Sequence, residues 1–191
     1  MTLRGEWLII SAVTGINIAR RTLLVAAGSL TALGANDRIR IGIIGSGGRG
    51  RYLTGLMKEY GAEVPAVCDV YQPNLESGLK LASSGAKGYD DYRSLLEDKT
   101  LDAVVIATPD HLHADIMIAA VEAGKDVYLE KPLATNVEDG FRMLDAEKRT
   151  GRLVAMGTQR RSHDLNHEAK QILDSGVMGD IRLVTAWWMN Q

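Results

Sequence analysis

From Arg38 onward the apolar positions follow two alternating rhythms. Ile39–Ile44 is a short apolar run rich in β-branched residues and reads as a buried strand, and Val64–Val70, Ala103–Thr108, Asp126–Glu130 and Leu153–Met156 read as further strands. Between them the apolar residues recur at helical spacing. Leu53, Leu56, Met57 and Tyr60 fall at i, i+3, i+4 and i+7, and Gly61 closes that helix. Leu75, Leu79 and Ala82 mark a second helix closed by Ser84-Gly85, and Tyr92, Leu95 and Leu96 mark a short third. Leu112, Ile116, Ala119, Ala120 and Ala123 give a fourth, with Gly124 at the position after its end. Thr135-Asn-Val-Glu138 reads as a capping box opening a fifth, which carries Val137, Phe141 and Leu144 inward and stops at Gly151.

Strands that alternate with helices and are apolar throughout predict an α/β fold with a doubly wound parallel sheet covered on both faces. Ligands of such sheets sit beyond the carboxyl ends of the strands. The residues at those ends therefore carry the functional question.

Composition narrows the answer. The chain has 191 residues, 46% hydrophobic and 24% charged, a globular balance with room for one domain and a piece of another. A formal charge of −2 offers no basic face, so nucleic acid is not an expected partner. Cys68 is the single cysteine, which excludes a disulfide scaffold and any multi-thiolate zinc site; inside an apolar strand it reads as small core packing. His163-Asp-Leu-Asn-His167 has the spacing of a zinc helix, but aspartate is a methylene short for the base and no third ligand is apparent.

The first 37 residues read separately, as a leader. Uncharged runs from Trp7 to Ala19 and from Thr22 to Asn36 flank Arg20-Arg21, and each is too short for the roughly 18–20 residues of a membrane span. An arginine pair before an apolar run with a small-residue end is similar to a twin-arginine export signal. Export to the periplasm is the expectation, with a cytoplasmic protein as the alternative.

The clearest chemistry follows the first strand. Gly45-Ser46-Gly47-Gly48-Arg49-Gly50 is G-x-G-x-x-G between a strand and a helix. Gly45 permits the tight turn, Gly47 lets the backbone approach a pyrophosphate, and Gly50 lets helix and strand pack closely. The helix N-terminus offers its amides and positive dipole end to phosphates. Asp69 ends the second strand about 20 residues on, where a carboxylate holds the ribose hydroxyls of a dinucleotide. That carboxylate repels a 2′-phosphate and no cation follows it in Val70-Tyr71-Gln72, so NAD is expected over NADP, although Arg49 or Arg51 can swing toward a phosphate. Two further strand ends carry Thr108-Pro109-Asp110 and Glu130-Lys131-Pro132. They aim Lys131 toward the nicotinamide end, where it can assist proton transfer. His113 reads equally as a cofactor contact and as a satisfied packing residue.

The runs IRIGIIGSGGRG, CDV, DAVVIATPDHLHADIMIAAVEAGKDVYLEKPL and GTQRR resemble the Gfo/Idh/MocA family, over about residues 38–190. The resemblance implies a Rossmann domain over 38–158 and an NAD(P)-dependent oxidoreductase acting on a sugar, cyclitol or related polyol. It implies that Gly45, Ser46, Gly47, Gly48, Arg49, Gly50 and Asp69 hold the cofactor. It also implies that Thr108, Pro109, His113, Glu130 and Pro132 border it, and that Lys131 is catalytic; the Lys131–Pro132 bond is often cis in relatives. Family members continue into a second, open-sheet domain that forms the substrate pocket and the usual oligomer contact. Residues 159–191 are expected to supply only its beginning: a helix bearing Leu165, Ala169, Ile172 and Leu173, closed by Gly176, and a strand over Ile181–Met189. On that reading the chain binds dinucleotide but turns over poorly alone. Two other classes stay open, an NAD-dependent glycoside hydrolase and a non-catalytic nucleotide-binding module.

Overall fold

The computed structural model describes residues 38–187, which fall into two units, one running through Gly157 and the other starting at Thr158. The first holds six strands: β1 (Arg40–Ile44), β2 (Glu63–Cys68), β3 (Lys87–Tyr89), β4 (Ala103–Ile106), β5 (Asp126–Glu130) and β6 (Val154–Gly157). They form one parallel sheet in the order β3-β2-β1-β4-β5-β6, and its helices are α1 (Gly48–Glu59), α2 (Gln72–Leu81), α3 (Tyr92–Leu96), α4 (His113–Glu122) and α5 (Val137–Thr150).

Alternation along the strands sends successive side chains to opposite faces, and both faces are covered. Ile41 and Ile43 of β1, Val64 and Val67 of β2 and Val105 of β4 pack with Leu53 of α1 and Leu75 of α2. Ile44, Val104, Ile106, Val127 and Leu129 pack on the other face with Leu95 of α3, Ile116, Met117 and Ala120 of α4, and Met143 and Ala146 of α5. Burial on both sides is why the interiors of β1, β2, β4 and β5 are apolar. Chain order reverses between β1 and β4, so their carboxyl ends open the crevice in which doubly wound sheets take ligands.

Several expectations are corrected in detail. The α5 cap is Asn136, not Thr135: its side-chain oxygen accepts from the Asp139 amide at 2.8 Å. The inward face of α5 is set by Met143 and Ala146, whereas Val137, Phe141 and Leu144 are exposed. Tyr60 is the residue after α1 and is exposed, and Leu112 lies in a 3-10 turn before α4. Gly124 at +81° and Gly151 at +63° do occupy the left-handed positions at their helix ends.

In the second unit, α6 (Asp164–Asp174) starts at His163, whose ring nitrogen accepts from the Leu165 amide at 3.3 Å. Residues 181–187 form no strand; a strand needs a partner for its ladder, and the described residues offer none there. The leader, Trp188 and Met189 lie outside the described residues. Among the described residues no helix is long and apolar enough to cross a membrane.

Candidate functional site

The turn after β1 is shaped by what its glycines avoid. Gly45 has φ +88°, and a Cβ there would lie 2.7 Å from the Ala107 carbonyl carbon and oxygen. A Cβ on Gly50 would fall onto the carbonyl oxygen of Gly45, so only glycine lets α1 sit this close to β1. Gly47 and Gly48 are open: Gly47 has only the Asn74 amide at 3.9 Å, and Gly48 has nothing within 4 Å. Helix α1 begins with no side-chain cap and no acid in its first turn, which leaves its first amides available to an anion.

Asp69 lies one residue beyond β2 and is bonded into this turn. Its Oδ2 accepts from the Ser46 amide at 2.8 Å and the Ser46 hydroxyl at 3.3 Å, and its Oδ1 accepts from the Tyr71 amide at 2.9 Å. Ser46 is wholly buried, and its single hydroxyl proton is shared between Asp69 and the nearer Asn74 carbonyl, at 2.9 Å. Asp69 does not cap α2, whose N-cap Tyr71 makes no side-chain bond. Oδ1, with one donor, keeps lone-pair capacity for a further one.

Both arginines of the turn are committed internally. Arg51 Nη1 donates to the Ser46 carbonyl at 2.8 Å and to Asn74 Oδ1 at 3.2 Å. Arg49, expected at the phosphates, instead reaches Glu130 with Nε at 2.7 Å and Nη2 at 2.6 Å, both on Oε1. Glu130, expected at the cofactor, is 6% exposed at its side chain and turned to Arg49. Burial raises the pKa of the neighbouring Tyr128 phenol, and the charge of Glu130 adds to the rise.

The ends of β4 and β5 meet over His113. This imidazole is fully buried, with Nδ1 2.7 Å from the Pro132 carbonyl and Nε2 3.1 Å from the Thr108 carbonyl. It ties two loops and presents no ring atom to solvent. Pro109 and Lys131 are exposed, the Lys131–Pro132 bond is cis, and the Lys131 amine has no hydrogen bond or ion pair among the described residues. Thr108 Oγ1 is buried without a partner, an orphan that a bound group at this crevice satisfies. The open glycines, the uncapped helix, the acid and the orphan hydroxyl together fit a dinucleotide.

Residues 39–158 match the oxidoreductase family described as having an NAD-binding Rossmann fold. The chain belongs to this family. It is 38% identical over 125 residues to inositol 2-dehydrogenase of Salmonella typhimurium, covering 65% of this chain and 37% of that protein. Among solved structures, myo-inositol dehydrogenase from Lactobacillus casei in complex with NAD(H) and myo-inositol is 32% identical, with TM-score 0.68, covering 74% of this chain and 43% of that one. WlbA dehydrogenase from Bordetella pertussis, in complex with NADH and UDP-GlcNAcA, is 30% identical with TM-score 0.69, covering 74% and 43%. The chain thus spans about two fifths of the length of these relatives. Two residues of the site carry no signal in the sequence motifs, Asn74 and Tyr128, and the motifs do not show that Glu130 binds Arg49. Asn74 lies on α2, in the segment after the acid, which was the one available hint.

Proposed function

We propose that this chain is the dinucleotide-binding part of an NAD-dependent dehydrogenase that moves hydride between nicotinamide and a sugar, cyclitol or related polyol. The observation that carries this reading is the convergence at one sheet edge of the open glycine turn, Asp69 and the unpartnered Lys131 amine. The turn and the α1 N-terminus hold the diphosphate, and Asp69 holds the adenosine ribose diol. When bound, NAD accepts or returns hydride at its nicotinamide. Lys131 orients the substrate oxygen at that end and holds or passes its proton. NAD is preferred over NADP because Asp69 is negative and both nearby arginines are engaged elsewhere. The inositol dehydrogenases among the relatives support a cyclitol or sugar substrate. Arg20-Arg21 and the apolar run after it support export of the protein by a twin-arginine route.

Fluorescence titration tests the core of this reading: the 191-residue chain takes up NADH, and binds NADPH more weakly. Failure of well-folded protein to bind NADH refutes it. With myo-inositol and NAD, accumulation of NADH without cleavage of added glycosides separates dehydrogenase from glycoside hydrolase.

A further inference from the structure

The peptide that carries Lys131 is gripped through its predecessor. Glu130 Oε2 accepts the Lys131 amide at 3.3 Å, while its Oε1 takes both Arg49 donors. Arg49 itself belongs to the first turn of α1, between the open Gly48 and the tightly packed Gly50. The far side of the carboxylate is closed by β6: a Cβ on Gly157 would lie 3.1 Å from Glu130 Oε1 and 2.5 Å from the Tyr128 hydroxyl. The Arg49 guanidinium also stacks 5.2 Å from the Tyr52 ring, which fixes it from the helix side. A carboxylate this buried is strongly destabilising when unpaired, yet a buried ion pair adds little net stability over apolar packing. Its use is then to set a register between two elements.

We propose that Arg49 is a positioning residue: through Glu130 it fixes the Lys131 backbone relative to the glycine turn, so that grip on the diphosphate and placement of the Lys131 amine are coupled. This rests on the dinucleotide lying across these strand ends, as argued above. Arg49 and Glu130 are 81 residues apart in sequence, and Arg49 also bonds the Tyr128 side chain on the same strand. Arginine suits the task because its planar fork presents two donors to one carboxylate, which lysine does not.

The test uses the 191-residue chain with Arg49→Ala, Arg49→Lys, Glu130→Gln, Lys131→Ala and the Arg49→Ala/Lys131→Ala pair. The first readout is NADH affinity. Lys131→Ala is expected to weaken binding about 5-fold or more in the parent chain and less than about 2-fold in the Arg49→Ala background, since contacting residues couple and independent ones add. The second readout needs no cofactor. Amide proton exchange at Lys131 is expected to rise about 10-fold in Arg49→Ala and in Glu130→Gln, to recover partly in Arg49→Lys, and to stay unchanged at Ile43 and Val67 in the sheet. Additive losses together with unchanged Lys131 exchange overturn the proposal. So does a uniform rise across the sheet, which marks simple destabilisation. If Arg49→Ala does not fold, Arg49→Lys carries the same comparison, because it keeps the charge and loses the fork. Absence of NADH uptake by the parent chain defeats the dinucleotide reading instead, and the exchange measurement still decides whether Arg49 holds Lys131.

Discussion

Ser46 gives its amide to Asp69 Oδ2 at 2.8 Å and shares its hydroxyl proton between that oxygen, at 3.3 Å, and the Asn74 carbonyl, at 2.9 Å. The acid that ends β2 and the turn that ends β1 are therefore one bonded unit, buried at Ser46 and half-buried at Asp69. A ligand bonded to the carboxylate is thereby registered against the glycine amides.

Asp69→Ala is expected to cost NADH binding about 10- to 100-fold, the value of one or two hydrogen bonds to a charged group, and the stranded Ser46 amide lowers stability besides. Asp69→Asn keeps an acceptor for that amide and removes the charge. It is expected to lose less for NADH and to narrow the NADH-over-NADPH ratio, because the repulsion of a 2′-phosphate is gone. Paired titrations with the two reduced cofactors check both statements.

His113 fills the seam between the loops after β4 and β5 and serves the Thr108 and Pro132 carbonyls. His113→Ala opens a cavity and takes the ring N–H from a loop carbonyl, at about 2–4 kcal/mol. For a domain of this size that lowers Tm by roughly 6–12 °C. Calorimetric melting of the variant measures it; a shift of a degree or less contradicts the assigned role.

Sheet, helices and glycine turn were legible in the sequence because they rest on local pattern. A strand buried on both faces must be apolar throughout, and Gly50 must be glycine wherever a helix touches the preceding turn. Local pattern failed where the decision is made at a distance. Val137, Phe141 and Leu144 make as good a helical stripe as any, but Met143 and Ala146 are the residues that meet α4 and the sheet. Strand β3 was missed because Lys-Gly-Tyr has no apolar run and is held by its ladder to β2. Arg49 looked like a phosphate ligand by its place in the motif, and only folding brings Glu130 to it. His113 could not be assigned by type alone, since its partners are backbone carbonyls that every residue carries.

The glycines of the turn separate folding from binding. Gly50→Ala is expected to lower both Tm and NADH affinity, because its Cβ meets the Gly45 carbonyl. Gly47→Ala has space, a negative φ of −63° and one distant neighbour, so its Tm is expected to hold while NADH binding weakens about 10-fold or more. Melting curves with and without NADH distinguish the two; equal stability losses in both variants contradict the assignment of Gly47 to the ligand side.

Cys68 supplies a pH signature of the same strand end. The thiol is 3% exposed at the end of β2, and burial, helped by Asp69, Asp91 and Asp90, raises its pKa from 9.0 to about 12. The folded state thus holds its proton through a window in which the unfolded chain has released it. Stability from this group is complete below pH 9 and falls as pH rises from 9 to about 12. The slope is at most about 1.4 kcal/mol per pH unit. Urea unfolding at pH 8 and pH 10.5 is expected to show a steeper loss for the natural chain than for Cys68→Ala, by about 2 kcal/mol. Iodoacetamide at pH 8 is expected to label the thiol only as fast as the sheet opens, so NADH, which binds the folded form, slows labelling. Labelling at the rate of a free thiol in folded protein contradicts burial of the β2 end, and with it the rigid mounting of Asp69.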